Sequence, residues 1–367
     1  MEKRVSGCRG CLLGLAVGDA MGHTVDDKSW EEIQRDYGPN GLLGYDLVNG
    51  CADVSSYTQL AAFAGNGLLL GLTRGQMQGV MAPYVRYIAL AQREWSQTQR
   101  YSGNPDRSVC WVSRGRELRG RRCMDTRMLD TLNQGRPGSM EEPVNRFVTP
   151  GAMTVSIPVG MFFNPLRTGR EEVDRLGAEA MALTHGAPQA FLAGGVLAHM
   201  ISRIIWDGVR DLKELVKESI EALQDGFGRE YRQAAEVRDG LNMALRLCAS
   251  HNVSCVEAME HLRCTTVPEV LAGAVYAALC YENNFDEAMI TAVNHSGRSA
   301  AVGAVTGAIL GARLGEEAIP EFYLEPLEPV ELLRELADDM LQGCPMELGN
   351  GLFDDDWDRK YLHGGRD

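Results

Sequence analysis

Glycine recurs at every fourth position in two apolar stretches, and these stretches decide the fold. The first reads Gly10-Cys11-Leu12-Leu13-Gly14-Leu15-Ala16-Val17-Gly18-Asp19-Ala20-Met21-Gly22, and the second reads Gly303-Ala304-Val305-Thr306-Gly307-Ala308-Ile309-Leu310-Gly311-Ala312-Arg313-Leu314-Gly315. A helix has 3.6 residues per turn, so each set of glycines lines one helix face. Glycine costs about 1 kcal/mol in a helix interior, and close backbone packing is the simplest compensation. A phosphate-binding role is the alternative, but neither stretch contains G-x-G-x-x-G or G-K-[ST].

Helical periodicity dominates the rest of the chain, and alternating β-branched runs are nearly absent. Pro188 and Pro329 suit a first helical turn, and Asp211 suits an N-cap. The sequence therefore predicts an all-α protein with a single domain over residues 1–367. The predicted helices are Thr58–Arg74, Met77–Trp95, Glu171–Leu183, Pro188–Trp206, Asp211–Asp225, Arg229–Ser250, Val267–Tyr281, Phe285–Val293, Ser299–Leu314 and Pro329–Leu341.

Residues 96–150 interrupt this pattern. They are rich in Arg, Gly and Ser and show little periodicity, so we expect a long irregular excursion on the helical body. Excursions of this length are usually functional or mobile. Near the C-terminus, the acidic run Asp354-Asp355-Asp356-Trp357-Asp358 is predicted to be a solvated tail.

Charge and cysteine content limit the partners and the compartment. Lys and Arg number 36 against 50 Asp and Glu, giving a net charge of −14, which disfavours nucleic acid and anionic membranes as partners. Most of the ten cysteines lie among apolar residues, as reduced thiols do in the cytoplasm. The apolar run Cys11–Val17 ends at Asp19 without a cleavage site, and Ser299–Ala312 is too short to span a bilayer. We therefore expect a soluble, cytoplasmic protein.

Five stretches, in order over roughly residues 7–330, resemble the ADP-ribosylglycohydrolase family, which includes the dinitrogenase-reductase-activating glycohydrolases. They are Gly14–Gly22; Tyr84–Tyr87 with Glu117–Arg122, similar to one bacterial subgroup; Gly151-Ala152-Met153 followed by Ile157–Gly160; Leu183–Pro188, similar to T-H-G-x-P; and Asn294–Gly315. The resemblance implies a compact orthogonal helical bundle. It also implies hydrolysis of an N- or O-glycosidic bond of ADP-ribose by two Mg²⁺ or Mn²⁺ ions, held by aspartates in two motifs.

The chain departs from the family at both metal motifs. Where the first normally reads [ST]-D-D-T-Q, this chain has Ser55-Ser56-Tyr57-Thr58-Gln59; where the second reads G-D-x-D-[TS], it has Gly297-Arg298-Ser299-Ala300-Ala301. Hard dications prefer clustered carboxylates. The remaining neighbours Asp19, Asp26 and Asp53 do not replace four aspartates, and Arg298 adds a positive charge. The sequence therefore predicts no metal site and no cofactor.

The replacements suggest a different use of the pocket. We hypothesise that the Arg298 guanidinium occupies the former metal position, pairs with Asp19, Asp26 or Asp53, and can bind a phosphate or carboxylate. The alternative is a solvated Arg at a helix N-terminus, where the helix dipole does not favour it. Tyr57 either contacts a ligand or fills the space.

Further candidate residues come from the resemblance. Asp26 stands where many members have a Glu that contacts the ribose or the attacking water. Ser56 and Ser299 lie in the altered motifs, and Gly151, Ala152 and Met153 lie in the loop implied to hold ADP-ribose. His185, from T-H-G-x-P, is either a ligand contact or a structural helix-end residue.

Three functions remain open. The chain is a binding module, or pseudoenzyme, for ADP-ribose, a related nucleotide or an ADP-ribosylated protein; or it is a metal-independent hydrolase of an N-glycosidic bond that uses Asp26, with Asp19 or Asp53, and Arg298. The third possibility is an interaction protein whose cleft is filled by Tyr57, Arg298 and Met153 and whose contact surface is the excursion near Trp95 and Trp111.

Overall fold

A computed structural model describes residues 2–79, 82–100, 108–250 and 252–365, and within these ranges the chain is α-helical, with three isolated β-bridges and no strand. The all-α prediction is thereby confirmed. The helices of the described residues are α1 Glu2–His23, α2 Trp30–Tyr37, α3 Ser56–Gln78, α4 Tyr84–Thr98, α5 Thr126–Asn133, α6 Ser156–Phe162, α7 Pro165–Thr168, α8 Arg170–Ala182, α9 Pro188–Trp206, α10 Leu212–Phe227, α11 Ala234–Cys248, α12 Cys255–Leu262, α13 Val267–Cys280, α14 Phe285–Val293, α15 Ser299–Leu314, α16 Glu321–Leu324, α17 Val330–Gln342 and α18 Asp355–Leu362.

The two glycine-striped helices, α1 and α15, pack against each other antiparallel along their full length. A Cβ atom added at Gly10, Gly14 or Gly18 would overlap the backbone carbonyl of Gly311, Gly307 or Gly303 respectively, and the reverse substitutions would overlap as well. No side chain separates the two backbones there. The glycines therefore compensate their helical cost by this contact.

The core extends outward from this pair. One cluster of buried apolar side chains includes residues from Cys8 to Tyr361. Helix α9 is long and apolar enough to cross a membrane, but 83% of its apolar window is buried inside the fold, so it serves as a core helix. All ten cysteines are free.

Some helix boundaries differ from those predicted. The predicted helix Met77–Trp95 is wrong: α3 ends at Gln78, with Gly79 in the left-handed region at φ 67°, and α4 begins at Tyr84 after Pro83. Asp211 caps α10 by accepting the Glu214 N–H, as predicted. Pro329 precedes the first turn of α17 rather than lying in it.

The acidic run near the C-terminus is not a solvated tail. Asp354 accepts the backbone N–H of Trp357 and caps α18, whose Trp357 and Tyr361 side chains are buried. The acidic residues occupy the first helical turn, where the helix dipole favours negative charge.

The excursion at 96–150 is only partly irregular. Its described residues include the end of α4, two short 3₁₀ helices at Trp111–Arg114 and Glu117–Arg119, and α5; residues 101–107 lie outside the described ranges. Trp95 and Trp111 are buried, and the Trp95 indole N–H donates to Gln59 Oε1 at 2.9 Å. These tryptophans therefore do not form the contact surface expected from the sequence.

Candidate active site

The N-terminus of α3 is capped by Asp19 from α1. Asp19 is fully buried, and one of its oxygens accepts the backbone N–H groups of Ser55 and Thr58 at 2.9 and 3.0 Å and the Thr58 hydroxyl at 2.6 Å. The other oxygen accepts the Ser55 hydroxyl. Burial raises the pKa of Asp19, although the hydrogen bonds from Ser55 and Thr58 oppose the rise. Both oxygens of this carboxylate are already committed to the fold.

The N-terminus of α15 has a second carboxylate from the segment that follows α1. Asp26 accepts the backbone N–H of Ala300 at 3.0 Å, and its other oxygen lies 3.5 Å from the Arg298 guanidinium. The same guanidinium nitrogen lies 2.5 Å from Asp27, whose backbone is left-handed at φ 65°. Among the three aspartates considered from the sequence, Arg298 therefore pairs with Asp26, and a fourth aspartate, Asp27, lies closer to it.

The two members of this ion pair differ in exposure. The Asp26 side chain is 3% exposed, whereas the Arg298 side chain is 33% exposed. Burial raises the pKa of Asp26 to about 6, against the lowering effects of the Ala300 N–H and the Arg298 charge. A buried carboxyl that titrates near neutrality, beside a cation that reaches solvent, is typical of functional sites.

Tyr57 lies close to both capped helix ends. Its side chain is buried, and burial together with the negative charge of Asp26 raises the pKa of its hydroxyl. The hydroxyl stays protonated at neutral pH and forms no hydrogen bond to a described residue. Below it, Thr154 donates to the Tyr57 carbonyl at 2.7 Å, and the Ser56 hydroxyl accepts the Met124 N–H at 3.1 Å. Ser56 thus has a structural partner, and the Tyr57 side chain is buried between the two helix ends.

A second polar cluster surrounds His185. Its ring nitrogens lie 3.2 Å from the Thr149 hydroxyl and 2.9 Å from the Thr184 hydroxyl, and Thr149 also donates to Asp125. Burial lowers the pKa of His185 to about 4, so the imidazole is neutral. Burial alone would raise the pKa of Asp125, but the Thr149 hydrogen bond, together with the charge and backbone N–H of Arg127, makes the net shift downward.

The loop that follows Thr149 packs tightly on this cluster. A Cβ atom at Gly151 would lie 2.7 Å from the Asp125 Cβ, and Ala152 and Met153 are fully buried. Ser299 is also buried, and its carbonyl contacts Gly22. These residues shape the site through the backbone.

Asp53 lies apart from the other two aspartates. It forms an ion pair with Arg122 at 3.2 Å, and Arg122 also binds Glu328 at 2.9 Å. These residues line a separate cavity of about 590 Å³. The structure thus brings Asp26, Arg298 and Tyr57 together and leaves Asp53 outside.

The arrangement does not fit the pair of dications that the fold implies. Among the described ranges, no group of three or more His, Cys, Asp or Glu side chains is placed to hold an ion. Asp19 has both oxygens occupied, and Arg298 places a positive charge beside Asp26. Like charges 4 Å apart repel by about 4 kcal/mol at an effective dielectric constant of 20.

The fold is all-α, and its glycine-striped helices α1 and α15 pack against each other. This packing brings the N-termini of α3 and α15 to one polar site. The family model described as ADP-ribosylglycohydrolase matches residues 2–348. The chain belongs to the ADP-ribosylglycohydrolase family.

A solved structure described as an ADP-ribosylglycohydrolase-related protein complex shares this fold. It has a TM-score of 0.59 and 21% sequence identity, and the match covers 93% of this chain and 99% of that one. No curated protein matches the sequence.

Sequence reasoning missed two residues of the site, Asp27 and Asp125. Asp27 is adjacent to Asp26 in sequence. It reaches Arg298 at the start of α15 only because α1 packs against α15. Asp125 is the N-cap of α5, accepting the Arg127 N–H at 3.1 Å. An Asp just before an apolar helical stretch is a sequence signal for an N-cap, so the cap itself could be predicted. The neighbouring sequence does not indicate that Asp125 lies beside His185.

Proposed function

We propose that this protein is a metal-independent binding module, a pseudoenzyme, for ADP-ribose, a related nucleotide or an ADP-ribosylated protein. The observation that carries the proposal is the partly exposed Arg298 guanidinium, held at the N-terminus of α15 by Asp26 and Asp27. A planar guanidinium with free donors binds phosphate or carboxylate through paired hydrogen bonds.

Uncharged polar groups lie near this cation and could contact the uncharged parts of a ligand. The Tyr57 hydroxyl is a free donor at neutral pH, and His185 is a neutral imidazole. Asp26 accepts hydrogen bonds from sugar hydroxyls whenever it is ionised, that is, mostly above pH 6. Such a combination suits a ligand with phosphate and ribose groups.

Titration calorimetry with ADP-ribose, in Mg²⁺ and again in EDTA, tests the proposal. We expect the same affinity in both buffers. Arg298→Ala should weaken binding about tenfold, the scale of one lost charged hydrogen bond, and Arg298→Lys should recover part of that loss. Arg35→Ala is the matched control, because Arg35 is an exposed arginine paired with Asp36. Binding that requires Mg²⁺, or none in either buffer, would overturn the proposal.

A second function is favoured by one observation, the burial of the Asp26 carboxyl, which raises its pKa to about 6. A carboxyl that titrates there can act as a general acid or base close to physiological pH. Metal-free cleavage of an N-glycosidic bond generally needs a second carboxylate. Asp53 pairs with Arg122 elsewhere, and both oxygens of Asp19 and of Asp125 already accept hydrogen bonds, so a hydrolase would have to release one of these two carboxylates from its partners.

Release of ADP-ribose from an N-ADP-ribosylated peptide distinguishes the two functions. An enzyme that uses Asp26 would turn over equally in EDTA and lose turnover on Asp26→Asn. Turnover that EDTA abolishes would count against both metal-independent functions. We further propose that the protein works in the cytoplasm, without nucleic-acid or membrane partners, in keeping with its net charge of −14 and its free cysteines.

A further inference from the structure

A second, strongly acidic cavity lies between α8, α9 and α10. Its volume is about 780 Å³, and eight carboxylate side chains line it against two guanidinium groups, from Arg170 and Arg175. Both guanidinium groups are already paired, Arg170 with Asp207 at 3.2 Å and Arg175 with Glu179 at 3.0 Å. The cavity therefore has a large excess of negative charge.

Five of the lining carboxylates lack a cationic partner. These residues are exposed and form no ion pair with any residue in the described part of the chain; they are Glu171, Glu172, Glu221, Asp225 and Glu230. Like charges that share a concave surface repel one another, and a low-dielectric wall strengthens the local potential. A multivalent cation would relieve this repulsion.

The floor of the cavity contains a buried histidine with an unused acceptor. His199 is 4% exposed, and its Nδ1 lies 2.9 and 3.0 Å from the two oxygens of Asp174. In the singly protonated form of the ring, that hydrogen bond places the proton on Nδ1 and leaves a lone pair on Nε2. Nε2 has no hydrogen-bond partner among the described residues, and the nearest carboxylate oxygen, from Glu218, is 4.0 Å away. A buried acceptor without a donor calls for a ligand N–H group.

The distribution of the carboxylates distinguishes between kinds of cation. No three acidic or histidine side chains of the described ranges are close enough to share one metal ion, so the negative charge is spread along the cavity. Met140, Ala222 and Phe227 add apolar surface to the lining, and Tyr231 adds an aromatic face. A lining that combines dispersed carboxylates with apolar surface matches a flexible chain of ammonium groups separated by methylenes.

We propose that this cavity binds an aliphatic polyamine. One ammonium group donates to His199 Nε2 on the floor, and the others pair with the unpartnered carboxylates of Glu171 and Glu221. The methylene segments contact Phe227 and Ala222. The site involves none of the residues around Arg298, so it is independent of the function proposed above.

Titration calorimetry with spermidine at physiological ionic strength tests the proposal on the full chain. We expect one saturable site on the wild-type protein. The double variant Glu171→Gln/Glu221→Gln should weaken binding at least tenfold, as expected for losing charged hydrogen bonds. These residues are exposed, so the variant should fold normally.

A second variant examines the histidine. His199→Asn keeps a donor for Asp174 but removes the Nε2 acceptor, and it should also weaken spermidine binding, with circular dichroism to verify folding. Glu321→Gln/Glu325→Gln is the matched control, because it removes the same charge from exposed residues elsewhere.

The contrary outcomes are distinct. Equal weakening in the control variant would show non-specific attraction to an acidic surface. Displacement of spermidine by equimolar Mg²⁺ at constant ionic strength would show a divalent-cation site. Absence of saturable binding would show that the cavity takes no polyamine, and each result would overturn the proposal.

Discussion

The N-termini of α3 and α15 use the same device with different results. Each receives a buried carboxylate from α1 or the segment after it, Asp19 at α3 and Asp26 at α15. Asp19 accepts hydrogen bonds at both oxygens from neutral donors and touches no solvent. Asp26 accepts one backbone N–H and faces a cation that is 33% exposed. The first end is closed by the fold, whereas the cation at the second end reaches solvent.

The comparison shows why similar positions at two helix ends differ in how well they tolerate substitution. Removal of Asp19 leaves the buried donors of Ser55 and Thr58 without hydrogen-bond partners, and these donors cannot reach water. Removal of Arg298 leaves one buried carboxyl that can take up a proton instead, since its pKa is already about 6. Four substitutions test this contrast.

Asp19→Ala should have the largest effect, a loss of about 3–5 kcal/mol in the free energy of unfolding, because it leaves buried hydrogen-bond donors of Ser55 and Thr58 unpaired. Urea denaturation measures it. Asp53→Ala is the control, since its ion pair with Arg122 is partly exposed and should cost at most about 1 kcal/mol. Equal losses in the two variants would remove the distinction between a closed end and an open one.

Asp26 should make stability depend on pH. Its folded-state pKa of about 6 exceeds the unfolded value of about 4, so the folded state binds more protons between these values and stability falls as pH rises from 4 to 6. Two pKa units correspond to about 3 kcal/mol. Asp26→Asn should abolish this fall, measured as the difference between the two proteins at pH 4 and pH 7. A parallel pair of stability curves would contradict the assignment.

Arg298→Ala should have a smaller effect on stability, about 1–2 kcal/mol at pH 7, because the Asp26 carboxyl loses a charged partner. The loss should shrink at pH 4, where that carboxyl is neutral. Thermal unfolding at both pH values measures it. A loss that stays constant with pH would show that packing of the arginine stem, and not its charge, stabilises this end.

Asp27→Asn should have the smallest effect, within about 0.5 kcal/mol, because the ion pair lies at the surface and Asn tolerates the left-handed backbone at φ 65°. Asp27→Val is the informative companion. A β-branched residue is strained in that region, and we expect a cost of about 1–2 kcal/mol in denaturation experiments. Similar stabilities for the two variants would show that the turn relaxes.

Much of the fold could be predicted from repeated spacing. The glycines at every fourth position predicted close backbone packing for two helices, although not that these two pack on each other. Apolar periodicity located α8, α9, α13 and α15 within one or two residues. The failures have local causes. Around Gly79 the apolar periodicity continues, although the left-handed backbone of this glycine ends the helix. In α18 the apolar residues are only Trp357, Tyr361 and Leu362, too few to predict a helix within an acidic run.

The site was harder, because its contacts join distant segments. Arg298 and Asp26 are separated by 272 positions, and the sequence allowed three aspartates as partners without a way to choose. Asp53 lies only two residues before Ser55, yet its carboxylate pairs with Arg122 from the excursion and not with Arg298. Which carboxylate faces which helix end is decided by tertiary packing alone.

The glycine contacts between α1 and α15 also set the length scale of any movement. Carbonyls of one helix lie against glycines of the other at intervals of four residues. If one helix slides along the other, backbone and side-chain atoms overlap until the next glycine is reached, about 6 Å away. Small axial shifts are therefore forbidden, and the separation between Asp19 and the start of α15 stays constant. Any adjustment to a bound molecule falls to the segments outside this seam, those around Asp27 and Gly151.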